Sequence, residues 1–275
     1  MFILNCKGNL LVVDKPLVMG IINVTPDSFY AGSRAMQRDE ILRKAESMLE
    51  EGATILDIGG QSTRPGAQQP GLWEEQERAV TAIDLIHGKF RDAIISVDTY
   101  SAEIAIAAVQ AGASMVNDIM AGRGDINMLA AVSDLQVPYI GMHMKGDPAS
   151  MQSLAVYKNV TAEVLDFFIN LKESCRQVGI KDLVIDPGFG FAKNISHNFE
   201  LLRNLQVFDM LDCPVMVGVS RKSTIYKTLG ITPDDALNGT TVLNTIALMN
   251  GAMILRVHDV RQAVEAVKLF KAIGE

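Results

Sequence analysis

Leu17-Val18-Met19-Gly20-Ile21-Ile22-Asn23 is a short, almost wholly apolar run, and Val24-Thr25-Pro26-Asp27-Ser28-Phe29 follows it directly. A buried strand therefore ends in a loop dense in polar and backbone-restricting residues. The pattern repeats along the chain. Strand-like runs are expected at 17–23, 54–59, 93–98, 114–118, 137–142, 182–186, 214–219 and 252–257. Between them lie stretches with apolar residues at helical spacing, such as Glu40-Ile41-Leu42-Arg43-Lys44-Ala45-Glu46-Ser47-Met48-Leu49. Gly52, Gly112, Gly179 and Gly251 each close a helical run before the next strand, as helix C-caps do. Alternating helices and near-continuous apolar strands predict a parallel sheet. Eight uninterrupted units favour a closed (β/α)8 TIM barrel, an α/β fold that typically takes about 250 residues. The predicted organisation is a single domain over 1–275, with the barrel at 17–273 and an N-terminal β-hairpin within 1–15. The hairpin turns at Lys7-Gly8-Asn9 and is placed across the bottom of the barrel, away from the site.

Composition narrows the function. The 275 residues are 48% hydrophobic, enough for a large core, and the formal charge of -7 argues against nucleic acid or anionic membrane as partners. Cys6, Cys175 and Cys213 are far apart and form no C-x-x-C pair, which points to a reducing cytoplasm. The first residues lack the basic and long apolar regions of a signal peptide. No run approaches the ~18 apolar residues of a membrane span.

In this fold the site lies at the C-terminal ends of the strands. Those ends carry Asn23, Asp57, Asp98, Asn117 with Asp118, Met142 with His143, Asp186, Ser220 with Arg221 and Lys222, and Arg256 with His258. A single Asp there is most simply a cap, but the set converges on one cavity. Acids and amides come from the earlier strands and bases from the last two. This division suggests one subsite for a polar heterocycle and one for an anion. Arg256 and His258 are two apart on one strand and share a face. With the loop Ser62-Thr63-Arg64-Pro65-Gly66 they suit a phosphate group. Asn23 offers a neutral oxygen to Mg2+, a cation held by few protein ligands plus substrate phosphates.

Five segments together carry a resemblance: Asn23–Phe29, Gln61-Ser62-Thr63-Arg64-Pro65-Gly66-Ala67, Asp186-Pro187-Gly188-Phe189-Gly190-Phe191, Ser220-Arg221-Lys222-Ser223 and Arg256-Val257-His258-Asp259-Val260. In this order, from about residue 17 to 262, they resemble the dihydropteroate synthase family. The resemblance implies an enzyme of folate biosynthesis that joins 6-hydroxymethyl-7,8-dihydropterin pyrophosphate to p-aminobenzoate, as a cytoplasmic homodimer. It implies pterin contacts from Asp98, Asn117, Asp186 and Lys222, with Met142 as a ring wall. Asn23 becomes the magnesium ligand, and Thr63, Arg64, Arg256 and His258 the pyrophosphate clamp. Phe29, Thr63, Pro65, Phe191, Lys222 and Ser223 surround p-aminobenzoate. The first two loops are expected to close once the pyrophosphate arrives. Asp98, Lys222, Arg256 and His258 are the catalytic candidates, and loss of Arg256 is expected to remove pyrophosphate binding while sparing pterin binding.

The chain departs from the family pattern at Tyr30-Ala31-Gly32, at Gln61 and Lys145 in place of Glu and Arg, and at Thr224-Ile225-Tyr226. His143 and its neighbours are read as structural, His87 and His197 as surface residues, and the helical methionines as core. The helix over Thr240–Met249 is either barrel packing or a dimer face, and the resemblance favours the dimer face. Two alternatives use the same barrel. A pterin-dependent methyltransferase would not need the Thr63-Arg64-Pro65-Gly66 or Ser220-Arg221-Lys222-Ser223 segments. A non-catalytic pterin-binding protein predicts decay at the anion clamp, which is whole here.

Overall fold

The computed structural model describes residues 1–24, 34–61 and 71–274, with the side chains of the first helix from Arg38 onward. Strands β1 (Phe2–Cys6) and β2 (Asn9–Val13) form the N-terminal antiparallel hairpin. Strands β3 (Leu17–Asn23), β4 (Ile55–Gly59), β5 (Ile94–Asp98), β6 (Met115–Asp118), β7 (Tyr139–Met142), β8 (Leu183–Asp186), β9 (Met216–Val217) and β10 (Ile254–Val257) form the parallel sheet. Neighbours run in chain order around the sheet, and β10 returns to pair with β3. The circle closes between β8 and β9 through the Ile185–Val215 bridge and the bond from Ile185 N to Pro214 O at 3.0 Å. The TIM barrel expected from the sequence is therefore present. Its seventh barrel strand is shorter than the predicted 214–219 at both ends, and Pro214, which has no N–H to place in a ladder, accounts for the N-terminal one.

Helices α1 (Arg34–Glu50), α2 (Leu72–Lys89), α3 (Ala102–Ala111), α4 (Met128–Leu135), α5 (Val160–Val178), α6 (Ile195–Arg203), α7 (Ser223–Leu229), α8 (Leu237–Met249) and α9 (Val260–Gly274) follow the barrel strands and cover them. Side chains alternate along each strand, so half of every strand faces these helices and half faces the barrel axis. Leu56, Ile58, Val97, Val116 and Ile185 pack outward into the large core shared with the helices.

The inward-facing residues set up the site. Met19, Ile55, Ile94, Met115, Ile140, Val184, Met216 and Ile254 make an apolar layer at the N-terminal end of the barrel. Leu4, Cys6, Leu11 and Val13 of the hairpin join that same cluster, so the hairpin plugs this end. Burying a Leu or Val side chain contributes about 1.5–3 kcal/mol. The opposite end of the barrel is thereby left as the mouth where polar groups can collect.

Candidate active site

Above the apolar layer the inward positions turn polar. The ladder pairs Asn23 with Gly59, Gly59 with Asp98, and Asp98 with Asn117, so these residues share one rung at the mouth. A Cβ on Gly59 would stand 3.6 Å from both Asn23 Oδ1 and Asp98 Cβ, which puts the Asn23 oxygen on the wall next to Asp98. Asp57 sits two residues below Gly59 on the same inward face and pairs in register with Ile21 and Ser96.

Arg256 joins these acids. Its Nε donates to Asp57 Oδ2 at 2.7 Å, and its Nη2 donates to Asp98 Oδ2 at 2.6 Å. Asn117 Nδ2 donates to the same Asp57 oxygen at 3.1 Å. The side chain of Asp57 is 0% exposed, that of Asp98 11% and that of Arg256 19%, so the cluster is nearly dry. Asp57 Oδ1 and Ser96 Oγ have no partner among the described residues. Burial above all, helped by Asp57, Glu75 and Asp118 and opposed by Arg256, pushes the Asp98 carboxyl up to about 7. Burial works against the Arg256 guanidinium as well, but Asp57 and Asp98 hold it firmly protonated.

The other side of the mouth is built from the ends of β7, β8, β9 and β10. Met142 and Asp186 are register partners and both are buried. Burial raises Asp186, opposed by Lys222 and by the Gly188 N–H that donates to its Oδ1 at 2.8 Å. Lys222 Nζ donates to Phe189 O at 2.5 Å and lies 4.7 Å from the centre of the Phe191 ring. Burial pushes its ammonium down to about 8, with Asp186 acting against the shift. His258 Nδ1 is 3.0 Å from Ser220 Oγ, and its backbone N–H donates to that oxygen at 3.2 Å. Ser223 is half-buried at the start of α7.

Comparison with known proteins places the chain in a family. The "Pterin binding enzyme" family model matches residues 19–258. The dihydropteroate synthase of Escherichia coli K12 is 41% identical over 268 residues, covering 97% of this chain and 94% of that protein. The chain belongs to the dihydropteroate synthase family. The structure of the Xanthomonas albilineans dihydropteroate synthase with 4-aminobenzoic acid superposes with a TM-score of 0.92 at 39% identity, covering 99% of this chain and 98% of that one. That of the Yersinia pestis dihydropteroate synthase with a sulfonamide drug gives 0.93 at 39% identity, covering 99% of both chains.

Within this dihydropteroate synthase fold, the mouth brings together Asn23, Asp98, Asn117, Met142, Asp186, Phe191, Lys222, Arg256 and His258, and Ser223 opens α7 directly after Lys222. Phe29, Thr63, Arg64 and Pro65, also expected in the site, lie outside the described residues. The two subsites are not separate as the sequence suggests. Arg256 alternates inward on β10, reaches across the barrel and ties the anion side to the acids. Arg221 leaves the site altogether. Its backbone φ of +54° turns it away, and it forms a two-pronged pair with Asp259 at 2.8 Å for each bond. Asp118 also faces outward, being one residue from the inward Asn117, and it accepts bonds from Tyr139 and the N–H groups of Met120 and Gly122.

Asp57 is the member whose weight the sequence understates. Its inward parity with Ile55 and Gly59 is a readable signal, but its pairing with a residue 199 positions away is not. The Gln61 departure has a local reason. Its Nε2 donates to the buried Glu75 Oε1 at 3.3 Å, where Thr99 Oγ1 also donates at 2.7 Å; a carboxylate at position 61 would face another carboxylate. His87 and His197, read as surface residues, are both half-buried. The His87 ring occupies the space a Cβ on Gly112 would need, and His197 closes a capping box with Asn194 at the start of α6.

Proposed function

We propose that this chain joins 6-hydroxymethyl-7,8-dihydropterin pyrophosphate to p-aminobenzoate, giving 7,8-dihydropteroate and pyrophosphate. The observation that carries the reading is Arg256 held between Asp57 and Asp98 at the barrel mouth. One group then serves both halves of a bond cleavage. Asp98, Asn117 and Asp186 offer acceptors and an amide to the amide-like edge and exocyclic amine of a pterin, and Met142 lies against its face. The C–O bond at the pterin methylene breaks. Positive charge gathers on the pterin beside Asp98, and negative charge gathers on the departing pyrophosphate beside Arg256 and His258. Fixed charges placed in advance where charge develops usually lower a barrier more than any other single effect. The neutral aromatic amine then attacks from the side of Phe191, Lys222 and Ser223 and needs no strong base.

Magnesium fits the donors present. Among the described residues no three His, Cys, Asp or Glu side chains cluster as a metal cage. The Asn23 oxygen on the wall beside Gly59 is a hard neutral ligand, suited to an ion that takes its other ligands from phosphate and water. When bound, the ion would neutralise charge on the leaving group. A dimer through α8 completes the proposal, since Val242, Ile246 and Met249 recur at helical spacing and are 49%, 37% and 66% exposed. No helix among the described residues is long and apolar enough to cross a membrane, and the cytoplasm is the proposed compartment.

Rescue of a bacterium lacking its own dihydropteroate synthase tests the function in vivo. Growth without added folate end-products is expected, and its absence from a strain that makes the folded protein would refute the reading.

Two further results are expected. The kcat/KM for the pterin substrate should follow a narrow bell, because this ratio reports groups of the free enzyme. Activity falls on the acid side as Asp98, held at about 7, loses its charge. It falls on the alkaline side as Lys222, held at about 8, loses its proton. A flat profile across both values would remove these roles. Sulfonamides, which present an aniline and an anionic group of similar reach, should compete with p-aminobenzoate. A purely noncompetitive pattern in steady-state kinetics would withdraw Phe191 and Ser223 from that pocket.

A further inference from the structure

Lys193 and His143 take no part in the chemistry above, yet both are buried as deeply as the core, each 3% exposed. Lys193 Nζ lies 2.9 Å from His143 Nδ1 and donates to Gly188 O and Phe191 O at 3.0 Å and to His143 O at 3.3 Å. A lysine here contributes no catalytic reach, because its N–H donors are shared among three backbone carbonyls and one imidazole and none is left to face the site. Burial first, and Lys193 next, hold the His143 imidazole down to about 2. The ring is therefore neutral, while burial also pushes the Lys193 ammonium well below its ordinary value, so the two nitrogens share a single short contact with no second charge beside it.

What this pair grips is the turn after β8. Gly188, Gly190 and Ala192 all have positive φ, at +72°, +82° and +51°. A Cβ on Gly188 would collide with the His143 carbonyl oxygen, so the turn is pressed directly against the end of β7. Asn198 Oδ1 takes the Gly190 N–H at 2.7 Å. From the site side, Lys222 takes the Phe189 carbonyl at 2.5 Å and lies over the Phe191 ring. The two lysines thus hold three carbonyls of one turn between them, Lys193 those of Gly188 and Phe191, Lys222 that of Phe189.

We infer that Lys193, seated on His143, is a positioning residue that fixes where the 187–192 turn presents Phe191 and the Phe189 carbonyl to Lys222, and so sets the affinity for the aromatic amine substrate. The inference rests on the proposal that Phe191 and Lys222 border p-aminobenzoate. A side chain that only fills the core would affect folding and leave substrate discrimination untouched. A misplaced turn would instead weaken one substrate, because small displacements of positioning groups are strongly felt.

The test measures both KM values and kcat in the full-length protein. Wild type is the control, and its failure to turn over the two substrates would refute the reaction itself, not this inference. With wild type active, Lys193→Met and His143→Leu are expected to raise the KM for p-aminobenzoate by about tenfold. The KM for the pterin substrate, whose contact Asp186 this turn touches only through the Gly188 N–H, should rise by no more than about threefold. His143→Asn, whose amide oxygen can stand near the lost Nδ1, should restore most of the p-aminobenzoate affinity. Should Lys193→Met fail to fold, the contrast between His143→Leu and His143→Asn decides alone. A lowered Tm with both KM values unchanged, or an equal rise in both, would overturn the inference.

Discussion

Replacing Arg256 by alanine will both destabilise the protein and stop turnover. The sequence alone suggests a cleaner loss, of pyrophosphate binding only, because the residue lies at the functional end of a strand. The structure changes that expectation. Without the guanidinium, Asp57 and Asp98 remain buried with no cation between them. Removing one partner of a buried ion pair costs about 3–5 kcal/mol. The penalty has a sign in pH. Burial already holds Asp98 at about 7, and the variant raises it further above its unfolded value. A carboxyl whose folded pKa is raised destabilises most at high pH, and the effect fades as pH falls and the group is protonated in both states. The Tm difference between variant and wild type should therefore be large in mildly alkaline buffer and shrink in acid. Calorimetry should show weakened binding of pterin ligands as well as of pyrophosphate. An unchanged Tm at alkaline pH would show that the acids do not depend on Arg256.

Asp98→Asn is the complementary change. It keeps size and leaves Arg256 its bond to Asp57, so the fold should tolerate it. It removes the negative charge placed beside the developing pterin cation. Loss of one preorganised electrostatic group typically costs about 10²–10³ in kcat, and that loss is expected here. The acid limb of the pH profile should vanish with it. Near-normal turnover would move stabilisation of the cation to another group or favour an associative displacement.

The barrel is legible in the sequence for a physical reason. Parallel strands buried on both faces read as continuous apolar runs, and all eight appear close to where the runs lie. The strand ends are legible too, since Asn23, Asp98, Asn117 with Asp118, and Asp186 close those runs. Contacts across the barrel are not. The reach of Arg256 to Asp57 depends on the offset between strands far apart in sequence, which no local pattern encodes. Arg221 is misplaced by sequence reading because adjacent basic residues look alike until the backbone at 221 turns. The opposite facing of Asn117 and Asp118 can be read from strand alternation alone. Lys193 gives no signal, as a lysine beyond a glycine-rich loop ordinarily lies in solvent.

Pyrophosphate release by the purified protein, supplied with dihydropterin pyrophosphate and magnesium and measured with and without p-aminobenzoate, tests the proposed reaction most directly. The expected result is release that depends on p-aminobenzoate and is matched mole for mole by 7,8-dihydropteroate. Folded protein that releases no pyrophosphate with both substrates present, or releases it without forming dihydropteroate, would contradict it.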